Sequence, residues 1–244
     1  MLDDYARTFF AITTIQALRY FVFAGGATLL VLKTRDSFVQ KHRIQKIPLK
    51  KNDFLRELKY STFTFFIYGS IFALIFNSHV RPHTQLYFEL EKQPIWWSVL
   101  SFPALLLIHD TYFYWMHRLV HQPALFNRIH RVHHLSTNPS PLAAQSFHPI
   151  EAFLEMIWIV PLVFLIPLHQ KILVGFSFFS MLYNIYGHLS LEIMPGSIRK
   201  NIYGQLLNTA THHNGHHRFY NGNYGLYFLL WDRLMNTEQK RATP

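Results

Sequence analysis

With 244 residues, half of them apolar and 17% aromatic, the chain is long enough for one or two domains and too hydrophobic to be disordered. It has no cysteine, which excludes disulfides, iron–sulfur clusters, thiolate-bound haem and cysteine zinc sites. A formal charge of +10 points either to nucleic acid or to an anionic membrane surface, and the position of the charge decides between them.

The N-terminus, Met1 to Asp4, lacks the basic stretch and cleavage site of a secretory signal. Five apolar stretches follow, at 9–32, 60–80, 95–114, 152–168 and 172–186. The first three meet the length of about 20 residues that a spanning helix needs. The last two carry Glu155, Pro161 and Pro167 and read as a pair of spans or as a hairpin that dips into the bilayer. Lys33 to Lys59 holds nine Lys/Arg, whereas Arg81 to Gln93 holds only Arg81 and Lys92. The positive-inside rule therefore puts the first loop in the cytoplasm, the second outside, and the N-terminus outside. The basic excess is juxtamembrane, no nucleic-acid recognition motif is present, and no nucleic-acid partner is expected.

Ten of the 16 histidines lie in three clusters: His109, His117 and His121; His130, His133 and His134; and His212, His213, His216 and His217. His188 lies between the second and third. On the topology above, all three clusters fall on the cytoplasmic side. His117 and His121 share a helical face, and the i, i+3, i+4 sets 130/133/134 and 213/216/217 each converge on one face as well. With His188 this aims nine imidazoles into one space, a supply that fits two metals better than one. Imidazole suits Fe, Zn, Cu and Ni. His42, His79, His83 and His169, in loops or at segment ends, read as ordinary polar residues. Asp110, Glu151, Glu192 and Asp232 are the carboxylates nearest the clusters. Asp110 stands two helical turns before His117, and Glu192 follows His188 by four as a ligand or an orienting partner. Trp96 and Trp97 read as an interfacial belt, and Tyr112 to Trp115 either as belt or as substrate channel.

At these residues the chain resembles the fatty acid hydroxylase/sterol desaturase superfamily of membrane non-haem di-metal oxidases. The resemblance runs from His109 to Asn236 through HDTYFYWMHRLVH, HRVHH, AQSFHPIE, GHLSLEIMP, THHNGHH, Asn223 to Gly225, and Leu230 to Arg233. It is greatest to the C5-sterol-desaturase branch and its bacterial relatives. It implies metal ligands at His117, His121, His130, His133, His134, His188, His213, His216 and His217, with His109 and His212 as adjacent candidates. Asp110 and Arg118 match structural or orienting positions, and His148 matches the family's His-Pro step without being a ligand. The resemblance also implies two Fe ions, for which Zn can substitute, O2 as co-substrate, a membrane lipid substrate and a separate electron donor. No haem or flavin motif is present in the chain.

The fold expected is an all-α integral membrane protein of four to five membrane helices, with a cytoplasmic helical cap carrying a histidine-rich di-metal site. Residues 1–94 would supply N-terminal membrane helices and the basic loop, and residues 95–244 the catalytic region. The function expected is hydroxylation of a lipid C–H bond, on an acyl chain or head group. The alternatives are a C5-sterol-desaturase-like lipid desaturase on the same site and, from another class, a metal-binding membrane transporter. The location expected is a bacterial inner membrane with the site facing the cytoplasm, or the endoplasmic reticulum in a eukaryotic cell.

Overall fold

A computed structural model describes residues 2–33, 37–47 and 49–239. Arg35 and Asp36 of the basic loop lie outside them. The apolar run after the acidic pair Asp3 and Asp4 folds as α1 (Leu2–Tyr20), a π-helical turn (Phe21–Gly25) and α2 (Gly26–Lys33), which continue one another. The short α3 (Ser37–His42) precedes α4 (Lys51–Phe76), which returns antiparallel to α1. Asp4 accepts from the Ser78 amide at one end of this pair, Phe9 stacks on Phe66, and the Ser61 hydroxyl bonds to the Tyr20 hydroxyl further along. The two helices can approach this closely because position 69 is glycine: a Cβ there would lie 2.0 Å from Thr13 Oγ1.

A two-residue strand, β1 (Leu86–Tyr87), pairs in parallel with β2 (Leu168–His169) and closes one end of the molecule. Between them run α5 (Ile95–Val120), α6 (Pro123–Leu125), a π-helical turn (Phe126–His130), α7 (Arg131–His134), α8 (Pro149–Ile157) and α9 (Ile159–Leu165). The fourth apolar stretch is thus two short helices meeting at Trp158. Pro161 has no amide hydrogen to bond the carbonyl of residue 157, so an unbroken helix would lose a rung there. Then come α10 (Gln170–Gly187), α11 (Gly196–Lys200), α12 (Ala210–Phe219) and α13 (Leu230–Leu234).

Ile71, Phe72 and Ile75 of α4 pack with Leu105 of α5, Ile159 of α9 and Leu173 of α10, so the N-terminal helices and the rest of the chain share a core. The outer faces are also apolar: Phe10, Leu18, Val22, Leu55, Ile95, Val99, Leu107, Leu165 and Val174 are all exposed. So much exposed hydrocarbon marks a surface that meets something other than water. Two helices among the described residues are long and apolar enough to cross a membrane, Asp3–Leu32 and Asn52–Phe76.

Candidate metal centre

The site forms where four segments end together. The last turn of α5 supplies His117 and His121. The π turn and α7 supply His130, His133 and His134. His188 caps α10, and α12 supplies His213, His216 and His217. The nine imidazoles gather into two groups, each with its candidate ligand atoms within 4.8 Å of one another. His117, His121, His130, His134 and His216 form one, and His133, His188, His213 and His217 the other. The groups touch, with the His134 and His217 ring centroids 4.7 Å apart.

The expectation that each i, i+3, i+4 set converges on one face needs correction. At 3.6 residues per turn, residues i and i+4 point about 40° apart, whereas i+3 and i+4 point about 100° apart. His130 and His134 therefore join one group while His133 turns to the other. On α12 the same rule sends His213 and His217 to one group and His216 to its neighbour. Each of these segments straddles the pair.

Hydrogen bonds fix which ring nitrogen faces inward. The Nδ1 atoms of His117, His188, His216 and His217 lie 2.7–3.1 Å from the carbonyls of Tyr224, Asn184, Gly222 and Ser136, and His133 Nδ1 lies 3.3 Å from that of Ser146. A carbonyl only accepts, so each Nδ1 carries the proton and each Nε2 holds a lone pair. Those Nε2 atoms converge: His117 to His130 at 3.2 Å, His134 to His216 at 3.1 Å, and His188 to His133, His213 and His217 at 3.1–3.2 Å. Where both tautomers are fixed, in His117 with His130 and in His188 with His133 and His217, lone pairs face each other and repel unless a cation lies between them. Two nitrogens about 2.1 Å from one metal stand about 3.0 Å apart at right angles and about 3.4 Å apart at the tetrahedral angle. The observed spacing falls between, so the donor set fits a metal in each group. His121 Nε2 is buried with no hydrogen-bond partner, an atom awaiting the same kind of occupant.

Burial, followed by the field of the neighbouring rings, holds His130, His134, His213 and His217 well below the usual histidine range, and burial brings His188 down to about 4. At neutral pH these rings are uncharged, the form that binds metal.

The carboxylates have divided tasks. Glu151, fully buried, takes the Nδ1 hydrogen of His130 at 2.5 Å, and its second oxygen has no partner. Asp110 touches no imidazole. One of its oxygens instead accepts from the amides of Leu226, Tyr227 and Phe228, while Asp232 accepts from those of Tyr224 and Gly225. Five consecutive amides are thus held by two carboxylates, and the loop they fix presents the Tyr224 carbonyl to His117. Asp110 and Asp232 position His117 through that loop. Asp110→Ala leaves three amides without their acceptor and should cost about 3 kcal/mol of stability. Chemical denaturation in detergent measures this, and Asp110→Asn should recover part of the loss. Glu192, too, is no partner of His188: it accepts from Tyr186 and Thr211 and ties α10 to α12.

His109 and His212 belong to neither group. His109 bonds the Tyr227 hydroxyl at 2.9 Å and stacks on Trp158, while the His212 ring accepts from the Thr209 amide and closes a capping box at the start of α12. Arg118 donates to the Tyr114 hydroxyl, and the His148 ring accepts from the Ile150 amide to cap α8.

Sequence reasoning passed over Glu57 and Gly222. Glu57 accepts from Ser136 and Ser140, and the Ser136 carbonyl receives His217, so α4 reaches the site through one hydroxyl residue. Its separation from Ser136 by 79 residues hides this contact from any local pattern. Gly222 has φ +85°, and a Cβ on it would lie 2.2 Å from the Thr237 carbonyl, yet its own carbonyl is the acceptor for His216. Gly222→Ala should strain the backbone by about 1–3 kcal/mol and loosen the centre, read as a lower metal content after dialysis against a weak chelator.

These imidazoles, gathered at the end of a bundle of apolar helices, make a polyhistidine site able to hold metal, in a chain with two helices long and apolar enough to cross a membrane. The chain belongs to the fatty acid hydroxylase family, whose model matches residues 102–237. It is similar to the lathosterol oxidases of Homo sapiens, 31% identical over 81% of this chain, and of Mus musculus, 33% identical over 81%. It is also similar to a Delta(7)-sterol 5(6)-desaturase of Leptosphaeria maculans, 30% identical over 98%. The chain spans 64–65% of the length of these relatives. They are the sterol-desaturase branch that the histidine motifs resemble. No solved structure matches the chain.

Proposed function

We propose that the protein is a membrane-embedded lipid oxidase whose nine gathered histidines hold two iron ions. The observation that carries this reading is the pair of adjoining groups of five and four imidazoles, eight of them buried, with the inward nitrogen fixed as a lone pair on the six rings whose Nδ1 is hydrogen-bonded. With irons bound, the centre would supply the oxidising power, drawn from O2 and externally delivered electrons, that breaking an unactivated C–H bond requires. The chain's own part is to orient and exclude. Backbone carbonyls and Glu151 lock six of the nine rings in one tautomer, the loop 224–228 closes over His117, and aromatic walls keep water from the reacting carbon.

In this reading the helices built from the five apolar stretches are four or five membrane elements, α8–α9 with α10 being the dipping hairpin. The basic loop and the histidine cap face the cytoplasm of a bacterial cell, or the cytosolic side of the endoplasmic reticulum. Electrons come from a separate protein. Hydroxylation of a lipid C–H bond is the first reaction assigned. Removal of two hydrogens from a sterol-like lipid is the second, favoured by the names of the relatives. A metal transporter would need ligands that exchange along a path, whereas these nine converge in one closed cluster.

Lipid mass spectrometry on membranes from aerobic cells making the wild type or the His133→Ala/His134→Ala double variant tests the assignment. A lipid that gains one oxygen only with the wild type supports hydroxylation, and one that loses two hydrogens supports desaturation. Unchanged lipids together with no iron in the purified wild type would overturn both.

A further inference from the structure

Between α1, α4, α5, α8–α9 and α10 lies a cavity. It borders the histidine cluster. Phe113 in its wall packs 5.0 Å from His117, and Asn184 accepts the Nδ1 hydrogen of His188. A second, mostly apolar cleft shares Gln16, Phe72, Leu173 and Ser177 with it. That cleft reaches the outer surface at Ile15 and Val174, both more than half exposed. Together they lie between the outer surface and the residues that pack against the histidine cluster.

Phe72, Phe113, Trp158, Ile159 and Phe176 suit the hydrocarbon of a lipid. Hydrocarbon alone does not account for the polar groups in the same wall, which include Gln145, Glu155 and Ser180. Glu155 is the informative one. It is 8% exposed, it lines the cavity, and it forms no hydrogen bond among the described residues. The other buried carboxylates are all engaged: Glu57 by two hydroxyls, Asp110 by three amides, Glu151 by His130, Glu192 by Tyr186 and Thr211, and Asp232 by two amides and Thr237. A carboxyl that lines a cavity and receives no donor from the fold is free to take one from the occupant of that cavity.

We infer that Glu155 accepts a hydrogen bond from a hydroxyl group of the lipid substrate, and so selects alcohol-bearing lipids over the same hydrocarbon without the hydroxyl. The inference rests on the lipid-oxidase reading of the cavity. Glu155 stands one helical turn after Glu151, about 5–6 Å along the same face of α8, and Glu151 touches His130. The hydroxyl is therefore held close to the centre, and the carbons nearest it in the substrate are the ones presented for oxidation.

The test is binding without turnover, using the full chain in lipid nanodiscs and two matched pairs of probes. One pair is lathosterol and 5α-cholest-7-ene; the other is octadecan-1-ol and octadecane. In the wild type the alcohol of at least one pair should bind at least about tenfold more tightly than its partner, and the pair that shows the gap tells a sterol from an acyl alcohol. Glu155→Leu should shrink the gap to less than about twofold with binding of the hydrocarbon partner unchanged. Equal affinities within both wild-type pairs, or an undiminished gap in Glu155→Leu, would overturn the assignment. If Glu155→Leu does not fold, Glu155→Ala decides: it removes the acceptor altogether, so a gap below about twofold supports the role and an unchanged gap refutes it. Iron content and O2-dependent turnover of the wild type judge the oxidase reading separately, so a gap without turnover would leave Glu155's role standing while that reading falls.

Discussion

Replacing His134 by alanine should strip the centre of metal and of activity together. His134 is almost wholly buried, its Nε2 lies 3.1 Å from that of His216, and its ring packs against His121, His130 and His217. Alanine removes one of five donors and opens a void that water enters, in a group where no carboxylate stands by as a substitute ligand. Metal content should fall from two ions per chain to about one or fewer, and turnover by at least about a hundredfold, since loss of a mere supporting partner already costs 10–100-fold. Metal analysis on purified protein, alongside lipid mass spectrometry, reads both. Full activity with full metal would remove His134 from the ligand set.

Glu151→Gln should have the next largest effect. Among the described residues Glu151 is the acid bonded to a histidine of the cluster, and its contact with His130 at 2.5 Å is a short hydrogen bond between fully buried groups. With metals bound, an ionised Glu151 would raise the basicity of His130 and offset part of their positive charge, a task no other acid is placed to perform at this distance. The amide keeps the shape and an acceptor oxygen but not the charge. Metal affinity and activity should fall about 10–100-fold while the fold persists. Competition against a chelator of known affinity measures the first, and circular dichroism checks the second. Glu151→Asp, which keeps the charge on a shorter arm, should recover part of the loss, and an affinity equal to the wild type in Glu151→Gln would show that the contact only packs.

The histidine cluster was legible because its donors are of one type and lie in short windows, so the nine residues named from spacing and resemblance are the nine that come together. Their division between two groups was not. It depends on angular differences within a single helical turn and, for His130, on a π turn that local spacing does not reveal. Asp110 illustrates a second limit. Its seven-residue interval correctly places it on the face of α5 that carries His117, but the object it grips is a loop more than a hundred residues later. The first two apolar stretches became long helices as read, whereas Pro161 divided the fourth. Glu57 and Ser136, which carry α4 into the site, share no motif, and only the packing of the chain brings them together.

The straddling segments also bear on how the centre fills. The π turn with α7, and α12, each extend imidazoles to both groups, so neither can settle around one ion without setting the donors of the other. Loading should therefore be cooperative: titration of the metal-free protein with Fe(II) under anaerobic conditions should pass from empty to doubly occupied with little singly loaded protein at half saturation, and native mass spectrometry would count the three species directly.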